Sequence, residues 1–327
     1  NAGGKTRLFV APAWKEVVIG DHKDHTFIHG ETFDVDGDGD SDFIGARYQP
    51  GLIVWFEQPN KNATNGPWKA RIAEDEIIGI HGVLKADVNG DGKLDLLANS
   101  AQPKGKFPDS AVWLEVPKNP HKADRWTRHV FAKNDAPGLS HYLGAGDLNG
   151  DGRLDITLAA KGGPSDKSGM GEWFAWWEAG DDSTMPFKKH RLPGKHPGAT
   201  NILPADVNGD GKLDIIASRG HGRGLIWYEN PGWKIYDINT ELLSSHCLQV
   251  GDIDDDGDID AVTCAYVSRK VAWFENDGKG KFTTHIIHND QAAYDIRLVD
   301  MDADGDLDTL IAGQQSKNVV WFENPLK

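Results

Sequence analysis

The chain has 327 residues, 39% of them hydrophobic, and a formal net charge of −15. That is enough apolar material for a sizeable core in one domain spanning residues 1–327. The acidic balance argues against nucleic acid as a partner, and no apolar run is long enough to insert across a membrane.

Taken in chain order, the first patterned segment is Ala13-Trp14-Lys15-Glu16-Val17-Val18-Ile19, which alternates and predicts a strand. A loop reading DVDGDGDSD follows and sets Asp34, Asp36, Asp38 and Asp42 at its positions one, three, five and nine. The same pattern returns with Asp87, Asn89, Asp91 and Asp95, and again with Asp147, Asn149, Asp151 and Asp155. It recurs with Asp206, Asn208, Asp210 and Asp214, then Asp252, Asp254, Asp256 and Asp260, and last with Asp300, Asp302, Asp304 and Asp308. Oxygen side chains at this spacing form a crown for a hard cation, with a glycine that lets the chain turn back around it. Up to six structural Ca²⁺ ions are therefore expected, and all of these residues are their expected ligands. No loop has the position-twelve glutamate of an EF-hand, and strand-like rather than helix-like segments flank each one.

The loops recur every 46 to 60 residues, a period that signals a propeller or solenoid. Each unit has four parts. An apolar run enters the loop, and a second leaves it, as in Leu213-Asp-Ile-Ile-Ala. A third carries an aromatic signature, WFEQ at Trp55, WLEV at Trp113, WWEA at Trp176, WYEN at Trp227 and WFEN at Trp273 and Trp321. A fourth alternates, often after a tryptophan, as in Trp126-Thr-Arg-His-Val. Short β-branched and aromatic runs bounded by Gly, Pro and Asn are strands, and four per repeat make one propeller blade. The expected fold is all-β: a six-bladed β-propeller in preference to a seven-bladed one, with four-stranded blades and the calcium loop between first and second strand. The sixth signature has no fourth strand behind it, so residues 13–19 are expected to close the last blade and hide its edge.

These loops and their flanks resemble FG-GAP/VCBS repeats, the blades of integrin α-subunit propellers and of several secreted carbohydrate-active proteins. The resemblance covers nearly the whole chain, although many relatives have seven blades. Six Ca²⁺ would offset twelve of the negative charges, so the acidity reads as a metal signature. Loops of this charge suit millimolar calcium, hence a secreted or periplasmic protein, and a monomer is expected. Cys247 and Cys264 fall on paired strands and are expected to be buried free thiols.

Residues about six before each loop mark the opposite end of the innermost strands. They are His81, His141, Thr200, His246 and Tyr294, with His29 in blade one. Loops between second and third strands return to that end and carry Arg47, Tyr48, Lys161, Arg219, His221, Arg223, Tyr266 and Arg269. The expectation is one polar funnel for an anionic saccharide. The repeated signature tryptophans read as inter-blade core, whereas Trp173, near the insertion of blade three, reads as the sugar-stacking residue.

Cations suit a carboxylate, and His and Tyr beside them suit proton transfer. The chain has no phosphate loop, no nucleophile elbow and no HExxH motif, and its aspartates are committed to the loops. What remains is β-elimination on a uronate, in a site similar to those of β-propeller polysaccharide lyases and the propeller domain of aldos-2-ulose dehydratase. His141 or His81 is the expected base, Tyr294 or His246 the proton donor, with Arg219 and Lys161 on the carboxylate and His221 assisting. Two alternatives stay open: a non-catalytic carbohydrate-binding or adhesion propeller, and a sugar dehydratase or isomerase holding an additional transition metal on the funnel histidines.

Overall fold

The computed structural model of the protein describes residues 4–21 and 26–325. It is all-β, a six-bladed β-propeller, with one short 3-10 turn, Ala63–Asn65, among the described residues. A hairpin of β1 (Lys5–Val10) and β2 (Lys15–Asp21) comes first. Blade one is β3 (His29–Phe33), β4 (Asp42–Arg47), β5 (Leu52–Glu57) and β6 (Lys69–Glu74). Blade two is β7 (Val83–Ala86), β8 (Asp95–Asn99), β9 (Ala111–Glu115) and β10 (Thr127–Ala132). Blade three is β11 (Ser140–Gly146), β12 (Asp155–Ala160), β13 (Trp173–Glu178) and β14 (Lys188–Arg191). Blade four is β15 (Asn201–Ala205), β16 (Asp214–Ser218), β17 (Arg223–Glu229) and β18 (Lys234–Leu243). Blade five is β19 (Ser245–Gly251), β20 (Asp260–Ala265), β21 (Lys270–Asn276) and β22 (Phe282–Asn289); blade six is β23 (Asp295–Val299), β24 (Asp308–Gly313) and β25 (Asn318–Phe322). Every blade is a meander in chain order, and the acidic loop joins its first strand to its second, as the repeat predicts.

Residues 13–19, expected to close the last blade, contribute to β2, whose Ile19 O accepts from Trp68 N at 2.8 Å just as Ala73 O, in the fourth strand of blade one, accepts from Trp126 N at 3.0 Å. Among the described residues the hydrogen-bonded sheet of blade six has three strands, and β2 pairs with β1 in a two-stranded sheet. The reason lies in what each strand offers its neighbour. Leu8 stands opposite Val17, an aliphatic pair, and the hairpin packs Val17 and Ile19 against Phe27, Val54, Phe56 and Trp68 of blade one. A partner five residues upstream in sequence also closes a far shorter loop than a distant strand would.

The chain packs as two compact units, Asn1–Leu143 with Ala179–Phe187, and Gly144–Glu178 with Lys188–Lys327. In the first, the core between blades one and two joins Ile44, Trp55 and Ile77 to Leu96, Leu114 and Trp126. In the second, three such cores follow one another, built around Phe174 with Tyr228, Trp227 with Phe274, and Val262 with Ile311. Each fills the space between consecutive sheets, because both faces of a blade are apolar.

Two repeated devices stiffen the blades. The ninth residue of each acidic loop is a buried aspartate that opens the second strand. In blade four, Asp214 Oδ2 accepts from Val207 N at 3.2 Å and Oδ1 from Asn230 N at 2.7 Å, tying the loop to the end of the third strand. Asp42, Asp95, Asp260 and Asp308 repeat the arrangement. The asparagine after the signature glutamate then reaches onward. Asn276 Nδ2 donates to Val207 O of the preceding blade's loop at 2.8 Å and to Ile259 O of its own at 3.1 Å. Asn230 and Asn324 make the same two bonds to Leu148 O with Leu213 O, and to Ile253 O with Leu307 O.

The second device is a clamp on the signature. In blades one to five the residue opposite the signature tryptophan on the fourth strand lies over the indole and bonds the glutamate two residues on. His190 stacks on Trp176 at 4.2 Å and meets Glu178 at 2.6 Å. His129 on Trp113 with Glu115, His285 on Trp273 with Glu275, and Tyr236 on Trp227 with Glu229 do likewise. In blade one Arg71 takes the place, its guanidinium 4.8 Å from the Trp55 ring centre and paired with Glu57.

Candidate functional site

The two units each gather a group of sequence-predicted residues. In the first, the imidazoles of His81 and His141 stack at 3.7 Å, and His29 stands 5.4 Å from His81. Tyr142 presents its ring to His29 at 4.7 Å, and Tyr48 lies 6.0 Å from His81 with its hydroxyl on Gln102 Nε2. Asn99 fixes this end of blade two: its Oδ1 accepts from His81 N and Gly82 N, and its Nδ2 donates to Ser140 Oγ. His141 is buried, while His81 is half-buried. Arg47 is also buried, and its guanidinium lies 4.5 Å from the Phe27 ring centre. Burial lowers its pKa, and no described group accepts from its Nε or Nη2.

In the second unit a chain of rings runs across blades four, five and six. His221 approaches His246 at 5.1 Å, His246 lies 3.8 Å from Tyr294, and Tyr294 is 4.7 Å from Tyr266. His246 is buried with its Nδ1 on Tyr294 O at 3.2 Å; Asn201 Nδ2 donates to its carbonyl at 2.6 Å. His221 has open solvent on one side, yet the protein around it and the Lys161 ammonium bring its pKa down to about 4. The same burial lowers the pKa of Lys161 and raises that of Tyr294. At neutral pH the recess thus holds an uncharged imidazole beside Lys161, with the protonated phenol of Tyr294 behind them.

Other expected residues are placed differently. Arg269 is drawn aside by Asp290 at 2.6 Å and Gln315 at 3.2 Å. Arg223 is exposed at the start of β17. Trp173 is corrected: it belongs to β13, is 1% exposed, and packs against Trp177 with the Lys189 ammonium 4.6 Å from its ring. It pairs with Ala160 in the sheet, so its indole is core and offers no face to a sugar. The sequence reading passed over His196 and Tyr228, whose hydrogen bond of 2.7 Å lies beneath Arg219. A signal was present, since Tyr228 replaces the phenylalanine of WFE, and a hydroxyl in the core requires a partner.

The acidic loops fit a hard cation by their donor chemistry. Asp34, Asp36 and Asp38 bring carboxylate oxygens within 4.8 Å of one another, as do Asp252, Asp254 and Asp256, and Asp300, Asp302 and Asp304. Burial, with neighbouring carboxylates adding to it, pushes Asp42, Asp214 and Asp260 up to about 6 and Asp95 up to about 7, a burden that a bound cation would relieve. The ninth aspartates accept backbone N–H groups on both oxygens, and each carboxylate oxygen retains a further lone pair.

The FG-GAP-like repeat model matches residues 34–98, 147–217 and 252–311, more than half of the sequence. The chain belongs to the FG-GAP-like repeat family. No protein of curated function matches this FG-GAP-like sequence. Among solved structures it is similar to that of an Agrocybe aegerita lectin described for specific recognition of non-reducing terminal N-acetylglucosamine, with 18% identity and TM-score 0.55 over 92% of this chain and 82% of that one. An auxiliary nutrient binding protein from Bacteroides ovatus is 9% identical with TM-score 0.55, covering 91% and 76%. A nidogen/laminin complex chain is 11% identical with TM-score 0.53, covering 86% and 89%. At these identities the likeness is one of fold. No described helix of this FG-GAP-like protein is long and apolar enough to cross a membrane.

Proposed function

We propose that the second unit binds an anionic saccharide in the recess beside Lys161 and His221 and acts on it by β-elimination. The carrying observation is the juxtaposition of a half-buried ammonium, an imidazole with its pKa near 4, and a phenol raised above its ordinary value. Lys161 neutralises the uronate carboxylate and so acidifies the adjacent C5 proton. Neutral His221 takes that proton, and the hydroxyl of Tyr294 or Tyr266 protonates the leaving oxygen as the C4–O bond breaks. His221, rather than buried His141 or His246, is the group with solvent access for this transfer. Calcium is proposed for the acidic loops, where it would hold the blade ends and take no part in the chemistry.

Absorbance of the unsaturated uronate product, followed over a panel of uronate polysaccharides with calcium present, tests the reading. A rising signal abolished by His221→Ala and Lys161→Ala supports it. A second reading, a saccharide-binding propeller without turnover, is favoured by the low basicity that a pKa near 4 gives His221. The sugar-recognising lectin among the fold neighbours is consistent with it. Flat absorbance accompanied by saturable calorimetric binding would select that second reading.

A further inference from the structure

Beneath the proposed recess lies a buried histidine that the elimination does not use. His196 is 3% exposed, and its Nε2 lies 2.9 Å from Pro193 O and 2.7 Å from Tyr228 Oη. A carbonyl only accepts, so Nε2 carries the proton. Tyr228 Oη is 3.3 Å from the same carbonyl and donates to it while accepting from Nε2. The tautomer is thereby fixed, and Nδ1 is left with a bare lone pair. That lone pair faces Arg219 Nη2 at 3.4 Å, and a guanidinium can only donate.

The ring cannot easily turn away. Phe174 packs on it with centres 5.0 Å apart, and Gly194 lies so close that a Cβ there would fall 2.5 Å from Nε2. Arg219 Nη1 donates to Arg223 O at 3.2 Å. Two of the five guanidinium N–H groups are thus spent on orientation and three remain for a ligand. The charged groups nearest the ring are Arg219 and Arg191, both of which oppose its protonation, as does burial.

We propose that His196 is a positioning residue: through Nδ1 it aims the Arg219 guanidinium at the substrate's anionic group, with Tyr228 locking the tautomer. The proposal rests on the reading of this unit as an anionic-saccharide site. It predicts that affinity for an acidic sugar depends on a side chain sealed from solvent, and that the dependence vanishes for a neutral sugar.

Calorimetric titration of the whole protein with a galacturonate trisaccharide, and with maltotriose as neutral control, provides the test. His196→Phe is expected to weaken trisaccharide binding about tenfold, the loss of one charge-assisted hydrogen bond. Tyr228→Phe keeps the ring packing and is expected to weaken it by a smaller factor. Once Arg219→Ala is present, His196→Phe should add nothing. Histidine ¹⁵N spectra without ligand should show His196 as the Nε2–H tautomer, with an Nδ1 resonance that moves in Arg219→Ala. Wild type that binds no uronate sugar would sink the anionic-site reading and this proposal with it. Wild type and both His196→Phe and Tyr228→Phe binding alike, with Arg219→Ala impaired, would overturn the positioning role alone. So would an Nδ1 resonance indifferent to Arg219→Ala.

Discussion

Asn276→Ala isolates the staple between blades four and five. The native amide donates to Val207 O at 2.8 Å and Ile259 O at 3.1 Å, and its Oδ1 accepts from Gly280 N at 3.1 Å. Asn276 is 2% exposed and Val207 is fully buried, so water cannot replace the donor to that carbonyl. Each bond lost costs about 1 kcal/mol net, and an orphaned buried acceptor costs about 1–3 kcal/mol. The expected loss is about 2–4 kcal/mol, or a fall in Tm of about 3–6 °C for a chain of this size. Asn276→Asp sharpens the test, because a carboxylate would face two carbonyl oxygens. Its penalty should grow as the pH rises through the ordinary carboxylate range near about 4. Circular dichroism melts at one fixed calcium concentration read both variants. A shift within about 0.5 kcal/mol of wild type, the usual scatter of surface substitutions, would refute the staple.

Chelation should destabilise the protein, since each site held at a hundredfold excess of Ca²⁺ over its Kd contributes about 2.7 kcal/mol; Tm against free calcium checks it, and a flat response would remove calcium from the loops. If His221 is the base, turnover should rise as the pH increases through about 4, where the imidazole loses its proton. It should then hold level, and fall below the ordinary lysine value as Lys161 discharges, because burial lowers that pKa. An acid limb at an unperturbed histidine value would assign the step to another group. Trp173→Ala should cost about 3–5 kcal/mol as a core truncation, with any sugar affinity in the folded fraction unchanged; selective loss of affinity at native stability would restore the stacking role.

The fold was legible because its determinants are local and repeated. The acidic loop, the signature and the strand pattern each state one blade, and six statements agree. The pairing of β2 with β1 was not legible from the same pattern. Trp14-Lys15 matches Trp233-Lys234, but three residues after the tryptophan the other fourth strands carry Arg71, His129 or Tyr236, whereas the N-terminal strand carries Val17. That clamp position distinguishes a strand that belongs against a signature tryptophan from one that pairs with Leu8. The polar ends of the innermost strands were also readable, since register alone places His81, His141, His246 and Tyr294. What register cannot give is depth. His141 and His246 proved buried and His221 open, and Trp173 was misjudged because an insertion in sequence need not displace the strand that follows it. His196 escaped notice because its role depends on a tautomer fixed by a proline carbonyl and a tyrosine distant in sequence.

Where they occur, the staple and the clamp both act at the acidic-loop half of the sheet, on residues such as Asn276, Asp260 and Trp273. The proposed chemistry uses the opposite half, on residues such as His221, in the turn between β16 and β17. Cohesion and the proposed recognition therefore fall on non-overlapping stretches of these repeats. Residues 161–172 hold none of the staple's donors or acceptors, so exchanging them for a segment of another length is expected to leave the staples intact. One scaffold sequence can in this way carry many ligand specificities, and variation among such proteins should concentrate in the turns that bear Lys161, His221 and Tyr266.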